Sequence, residues 1–530
     1  TAYNVALGYS AGANVSTAIR STLVGGNAGS SITTGQENTF IGYTAGASTT
    51  IGNKNVAIGG EALVTNVAAD CNVAVGLEAL KAMTSAVTAD TYNTAVGYRA
   101  GLSVSTGVRN TIMGGLAGDA LTTGLNNVAI GYDSLGSEDA HGNNTAVGTW
   151  ALATLNAGAD AHNTAVGWNT GAAMTTGVYN TLIGATAGDA LTTGSRNVAI
   201  GNWSLSAEST HGRNIAIGYN ALKVQDAGVD AYNVAIGYDA GTNVTTGVKN
   251  ILIGGLAGDA LTTGSYNTAI GYQALTSEDG HGYNTAIGLA TLSAQDAGAE
   301  AYNVAVGHYA GVAVTTGTFN TIVGTYAGDA ITTGSNNVAL GYAALTTEDA
   351  HGYNTAIGNY ALQDLNAGAN AYNTAVGYSS SNNITTGVKN TTLGTWALSA
   401  NATGNKNVAI GYQALYTLAP LGSVDSHCVA IGYEAGLVSN ANDNTIVGSQ
   451  AGLVMTMGAN NTLIGRAAGD LLTTGSNNII IGAGSDASAV GISNEVNLWN
   501  GSVVARFQGA AAAWSFVSDE RDKKEIKDLE

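Results

Sequence analysis

Four histidines recur at intervals of 70 residues, and each follows a short acidic stretch. Imidazole and carboxylate groups are the side chains that bind divalent ions such as Zn²⁺. Three chains around a common axis could gather three such histidines, but the repeat described below reserves the axis for other residues. The pattern therefore favours turn residues that recur because a block of 70 residues was duplicated, and we predict no metal site. The histidines are His141, His211, His281 and His351, preceded by Glu138/Asp139, Glu208, Glu278/Asp279 and Glu348/Asp349.

A second set of acidic residues could act as the paired carboxylates of a glycosidase. Asp160, Asp230 and Glu300 share the 70-residue spacing, and Asn370 interrupts the series. A catalytic site rarely occurs several times along one chain. Glycoside cleavage therefore stays an alternative, and we favour a protein that is not an enzyme and binds no cofactor.

The composition excludes other classes of protein. The 530 residues include 17 Lys and Arg against 36 Asp and Glu, a formal net charge of −19. Such a chain repels phosphate, so we expect no nucleic-acid partner. It contains no apolar run long enough to span a bilayer, so we expect no membrane insertion. Glycine occurs 75 times and proline once, without the Gly-X-Y period of collagen.

The elements that carry these residues are the coils of a short repeat. A pentad of the form Asn–(Thr/Val)–apolar–aliphatic–Gly occurs about 28 times from Asn4 to Gly482, in most steps 17 residues apart, and four-coil blocks of 70 residues overlie it. A unit this short cannot fold alone but suits one coil of a solenoid. We predict an all-β fold, a parallel β-solenoid (β-roll) with two short strands per coil, the second near segments such as 259–264. Such a stack would be a rod of roughly 130 Å.

Stacked coils place equivalent residues above one another. The Asn column should form a ladder of side-chain amides at the turn, and the Gly column should mark a tight bend or a close approach of backbones. Representative ladder residues are Asn55, Asn127, Asn197, Asn267, Asn337, Asn407, Gly59, Gly131, Gly201 and Gly271.

Alternation within the pentad predicts an oligomer. Successive side chains of a strand point to opposite faces, and both faces of the pentad are apolar or small. One face can be covered by the other wall of the same coil, whereas the second needs another chain. We therefore expect a homo-oligomer whose pentad strands line a shared axis, and a homotrimer is the natural closure for a thin coil.

Most tyrosines flank the pentad, either before its Asn, as Tyr232 does, or after its Gly, as Tyr238 does. Aromatic rings at these positions could bind sugars by stacking. Their regular spacing favours structural ladders of rings along the strand edges.

The pentads, for example residues 55–59 and 267–271, resemble the head repeats of trimeric autotransporter adhesins. That resemblance implies a trimeric β-roll with two short strands per coil and covers about residues 1–482. The coil here, about 17 residues long, is longer than the adhesin repeat, and nothing resembles the coiled-coil stalk or membrane anchor of those proteins.

The C-terminal motif Ser518-Asp-Glu-Arg-Asp-Lys-Lys-Glu-Ile526 resembles the start of the self-cleaving intramolecular chaperone domain that follows phage tail spikes and tail fibres. The resemblance covers the last 13 residues and implies chaperone-assisted trimerisation followed by cleavage of the Ser518–Asp519 bond. It assigns the nucleophile to Ser518 and the base to Lys523, with the adjacent Lys524 as the alternative. A desolvated lysine can accept the proton of a serine hydroxyl.

Together these patterns predict a trimeric viral fibre shaft, most simply a phage tail fibre, that attaches the virion to its host. The expected domains are a shaft over 1–482, an irregular transition segment over 483–517 and a truncated chaperone start over 518–530. The expected partners are two further copies of the chain, other virion tail proteins, and a glycan or protein of the host cell surface. The alternatives are a bacterial trimeric surface adhesin, located at the cell surface, and a tail-spike glycosidase.

Overall fold

The computed structural model describes residues 3–84, 89–418, 425–502 and 504–508. Regular secondary structure in these ranges is confined to β-strands, and they contain no helix. The chain divides into two compact units, Thr1–Asn267 and Thr268–Glu530. Each unit is a parallel β-solenoid with coils of about 17 residues, and the described residues form about 28 turns in all. The predicted fold class is therefore confirmed.

In the first unit, each pentad contributes a three-residue strand that pairs in parallel with the strands of the neighbouring coils. Equivalent positions lie in register, so Leu182 is paired with Ala199 and Ile183 with Ile200. Two further strands of two residues, β5 and β7, pair with each other. The strands are β1 Val5–Leu7, β2 Thr22–Val24, β3 Thr39–Ile41, β4 Val56–Ile58, β5 Ala69–Asp70, β6 Val73–Val75, β7 Ala89–Asp90, β8 Thr94–Val96, β9 Thr111–Met113, β10 Val128–Ile130, β11 Thr145–Val147, β12 Thr164–Val166, β13 Thr181–Ile183, β14 Val198–Ile200, β15 Ile215–Ile217, β16 Val234–Ile236 and β17 Ile251–Ile253.

The second unit repeats this arrangement and ends differently. Within the predicted transition segment, β31 still pairs in parallel with the last pentad strand, but β32 turns back and pairs antiparallel with β31. The parallel stack of this unit therefore gives way to a hairpin at its C-terminal end. The strands are β18 Thr268–Ile270, β19 Thr285–Ile287, β20 Val304–Val306, β21 Thr321–Val323, β22 Val338–Leu340, β23 Thr355–Ile357, β24 Thr374–Val376, β25 Thr391–Leu393, β26 Val408–Ile410, β27 Val429–Ile431, β28 Thr445–Val447, β29 Thr462–Ile464, β30 Ile479–Ile481, β31 Glu495–Trp499 and β32 Val504–Gln508.

The core of each coil is built from the third pentad position and the opposite wall. Ala235 and Leu252 occupy this position in neighbouring coils, and both are fully buried. The larger Leu252 fits because glycines lie opposite it: a Cβ added to Gly241 or Gly258 would come within 2.6 or 2.7 Å of its methyl groups. Large residues at the third pentad position, which recur every 70 residues, are therefore accommodated by small residues opposite them in a densely packed interior.

The opposite wall differs from the expected second strand. Residues 259–264 form turns and bends, and β5 and β7 are the strands that the described residues place outside the pentads and the C-terminal hairpin. Leu256 and Gly258 have φ values of 58° and 56°, and the Leu261 N–H donates to the Gly258 carbonyl 3.2 Å away within the same turn. Coils still bond to one another here, since the Gly241 N–H donates to the Ala257 carbonyl at 3.0 Å. The wall is thus a stack of turns.

Candidate functional site

The pentad asparagines form a column of buried amides in each unit, interrupted by Ser21 in the first unit and by Cys428 in the second. The backbone N–H of Asn127 donates to Oδ1 of Asn110 at 2.9 Å, and its Nδ2 donates to the carbonyl of His141 at 3.1 Å. The Asn127 side chain thus donates to the turn that precedes the next pentad, and its Oδ1 accepts from the N–H of Asn144 in the next coil. The same pattern of backbone donation to the preceding asparagine places Asn55, Asn127, Asn197, Asn267, Asn337 and Asn407 in the column, and all are at most 1% exposed.

The pentad glycines lie where two coils approach most closely. They have φ values between 131° and 143°, a region that L-residues with a side chain rarely adopt. A Cβ on Gly59, Gly131, Gly201 or Gly271 would also collide with the backbone carbonyl group of the glycine in the next coil. Both reasons for glycine, conformation and close approach, therefore operate at Gly59, Gly131, Gly201 and Gly271.

The second and fourth pentad positions form an apolar outer face on each unit. In β17, Leu252 is buried, whereas Ile251 is 40% exposed and Ile253 is half-buried. Leu340 at the fourth position of β22 is 43% exposed. Because every pentad strand after β1 repeats this pattern, the face is a stripe of aliphatic side chains and threonine methyl groups. Monomeric soluble proteins rarely leave so long an apolar patch open to water.

Aromatic rings form a ladder beside this face in the second unit. Eight rings from consecutive coils follow the pentad glycines, and adjacent centroids lie 5.3 to 6.3 Å apart, within the range of stacked or edge-to-face contacts. Several rings keep a third to a half of their surface exposed. The sequence indicates the ladder, but the change between stacked and edge-to-face geometry is seen only in the structure. The rings are Tyr309, Tyr326, Tyr342, Tyr360, Tyr378, Trp396, Tyr412 and Tyr433.

The acidic series considered for glycoside cleavage forms hydrogen bonds within the turns. Asp160 Oδ1 accepts from the Gly142 N–H at 2.9 Å, and Glu300 Oε2 accepts from the Gly282 N–H at 2.7 Å. Asn370, which breaks the series, accepts from the Gly352 N–H at 3.0 Å with its amide oxygen. The position therefore needs an acceptor and not a charge. Asp230 makes the equivalent bond to Gly212.

The acidic residues before the four histidines are gathered into clusters. In each block the glutamate is fully buried and a carboxylate oxygen accepts the backbone N–H of the histidine three residues later at 3.0 or 3.1 Å. Burial raises the pKa of Glu208 to about 7 and also raises the pKa of Glu278. The sequence shows the histidine spacing but not this burial. It also does not show that Asp226 and Asp296, from the next coil, join two of the clusters.

A further acidic series was missed by the sequence interpretation. Asp119, Asp189, Asp259 and Asp329 follow Ala-Gly at 70-residue intervals, and each is half-buried. Burial raises the pKa of all four carboxyl groups, although backbone N–H groups, including that of the following alanine, oppose this shift. The shared spacing was the available signal.

Ser518, Lys523 and the cleavage motif lie outside the residues that the structure describes. A membrane-spanning helix is not found in the described part of the chain. No protein-family model, curated protein or solved structure matches this sequence. The fold and the regular columns of side chains define the class of protein, which is a repetitive parallel β-solenoid protein.

Proposed function

We propose that this chain is the shaft of a homotrimeric viral fibre, a phage tail fibre. The shaft would hold the host-attachment function at a distance from the virion. The observation that carries the proposal is the apolar outer face. In each unit it repeats at every coil, beside a core that the coil closes by itself. Burying such a face against two further copies of the chain removes it from water along its whole length.

The turns and columns support a structural role. Backbone groups are satisfied by the Asn column, and the acidic series of Asp160 and Glu300 acts as turn acceptors. The carboxylates that sequence alone offers for glycoside cleavage, such as Asp160 and Glu300, accept backbone N–H groups within the turns. These contacts favour a rigid spacer over a tail-spike glycosidase.

Maturation of the fibre rests on the resemblance of residues 518–526. In a chain that continues through the complete downstream domain, we expect release of that domain after Ser518 once trimers form. The Ser518→Ala variant should assemble but stay uncut, whereas Lys523→Ala and Lys524→Ala identify which lysine acts as base. Cleavage of Ser518→Ala at the wild-type rate would show that the nucleophile is another group.

Location distinguishes the fibre from a bacterial adhesin, which would share the same shaft. Antibodies against the purified chain should label the tails of phage particles in immunogold electron microscopy, and fluorescently labelled fibres should bind a subset of bacterial strains in competition with unlabelled protein. Labelling of the bacterial envelope in cells free of phage would instead favour the adhesin. Ile270→Asp, expected to fold without assembling, is the matched control for strain binding.

A further inference from the structure

Each of the four blocks contains one buried glutamate, and in the first block the Ala157 N–H donates to Oε2 of this residue, Glu138, at 3.4 Å. The first oxygen, Oε1, accepts the histidine backbone N–H in all four blocks. The second oxygen, Oε2, of Glu208 and of Glu348 is buried and has no hydrogen-bond partner among the residues that the structure describes. A buried carboxylate oxygen without a partner is costly, so a cation near it would stabilise the coil.

The same glutamate is the centre of a set of ligand groups. In each set, one potential ligand atom per residue lies within 4.8 Å of those of the other members. The first and fourth blocks supply three groups, and the second replaces the neighbouring aspartate by one from the next coil. The third block has both aspartates and therefore four groups. The sets are Glu138/Asp139/His141, Glu208/His211/Asp226, Glu278/Asp279/His281/Asp296 and Glu348/Asp349/His351.

The spacing of the two central ligands fits a metal ion. The distance from histidine Nδ1 to glutamate Oε1 is 3.5 Å in the first block, 3.4 Å in the third and 3.3 Å in the fourth. Two ligand atoms that are each about 2.1 Å from a tetrahedral ion lie about 3.4 Å apart. A direct hydrogen bond between histidine and glutamate accounts for Oε1 alone, and it leaves Oε2 of Glu208 and of Glu348 without a partner among the described residues.

We propose that these clusters bind divalent first-row transition ions, with Zn²⁺ as the representative ion, and that the third block binds most tightly. Zn²⁺ accepts histidine nitrogen together with Asp and Glu oxygen atoms as ligands, whereas Ca²⁺ and Mg²⁺ prefer oxygen ligands throughout. The ligands all come from one chain, so the site does not require the histidines to meet at a shared axis. It is independent of the proposed role as a viral fibre.

The blocks provide a matched pair of variants, because the third has Asp296 where the fourth has Asn366. Asp296→Asn gives the third block the three-group set of the fourth, and Asn366→Asp makes the reverse change. The full chain is freed of metal with a chelator, dialysed against Zn²⁺ and analysed for bound metal by mass spectrometry. Co²⁺ serves as a spectroscopic probe, since its visible absorption reports nitrogen and oxygen coordination directly.

We expect one tight Zn²⁺ per wild-type chain and up to three weaker ones. Asp296→Asn should lower the affinity of the tight site for Zn²⁺ at least about tenfold, because changes to residues that only support metal ligands already cost about tenfold or more. Asn366→Asp should create a second tight site. Zn²⁺ should also raise the melting temperature of the wild type. The proposal is overturned if wild type retains no Zn²⁺, or if replacing all four histidines with glutamine leaves the stoichiometry and the Co²⁺ spectrum unchanged. Circular dichroism confirms that each variant is folded.

Discussion

The inner and outer faces of the pentad strand have similar apolar side chains but opposite environments. In β18, Ala269 is fully buried inside the coil, whereas its neighbour Ile270 points outward and is half-buried. The inner face is completed by one chain, so its packing determines whether a coil folds. The outer face is incomplete in one chain, so it should determine whether coils of different chains associate. Substitutions on the two faces should therefore separate folding from assembly.

The largest effect is expected from a charge on the inner face. Ala269→Asp places an unpaired carboxylate in a fully buried position, which costs several kcal/mol. We expect loss of hydrogen-exchange protection in the affected coil and its neighbours, independent of protein concentration. Ala269→Ser, with a small neutral side chain, is the control. Protection equal to that of the wild type would show that the third position is not part of the core.

The same charge one residue later should act on assembly. Ile270→Asp leaves the carboxylate in contact with water in a single chain, so the coil should stay folded with a cost below about 1 kcal/mol. In a trimer, three such charges would be buried in an interface between chains that excludes water, at a cost of several kcal/mol per chain. Sedimentation velocity should show a folded, smaller species. An oligomer as stable as that of the wild type would place the contact between chains elsewhere.

A smaller effect is expected from the Asn column, which contributes to the inner side of the turn. Asn337→Ala removes the acceptor of the Asn354 N–H and the donor to the His351 carbonyl. Leaving these buried groups unpaired should cost about 2 to 4 kcal/mol. Urea unfolding followed by circular dichroism measures the change, and the exposed Asn202→Ala should be nearly neutral. Equal stability of both variants would argue that water replaces the ladder.

The smallest effect concerns pH and the half-buried Asp259. Burial raises the pKa of this carboxyl group in the folded chain, so its contribution to stability is fully present below the unfolded pKa, about 3.9. That contribution is lost as pH rises through the folded pKa. Asp259→Asn should therefore stabilise the chain at pH 7 by less than about 1 kcal/mol, since solvent screens the charge. Melting curves should converge near pH 4, and a gap that widens on acidification would contradict this sign.

The sequence predicts the features that depend on residue type and period. The pentad period indicates stacked coils, and the alternation of Ala235 with Ile236 indicates two different faces. The opposite wall was predicted less well, because the positive φ values of Leu256 and Gly258 arise from turn geometry that a short apolar segment does not reveal. The burial of Glu278, and its proximity to Asp296 of the next coil, depends on stacking between coils. Such contacts become visible only once the coils are placed.

The mass of the protein in solution shows whether further copies of the chain cover the apolar outer face. Sedimentation equilibrium of the full chain at neutral pH, over a wide range of protein concentrations, reports the number of copies without assumptions about shape. We expect a homotrimer, which gives a single species of three times the chain mass of 52.7 kDa. A folded monomer of 52.7 kDa that persists at high concentration would contradict it, because the apolar outer face would then be stable in water without a partner.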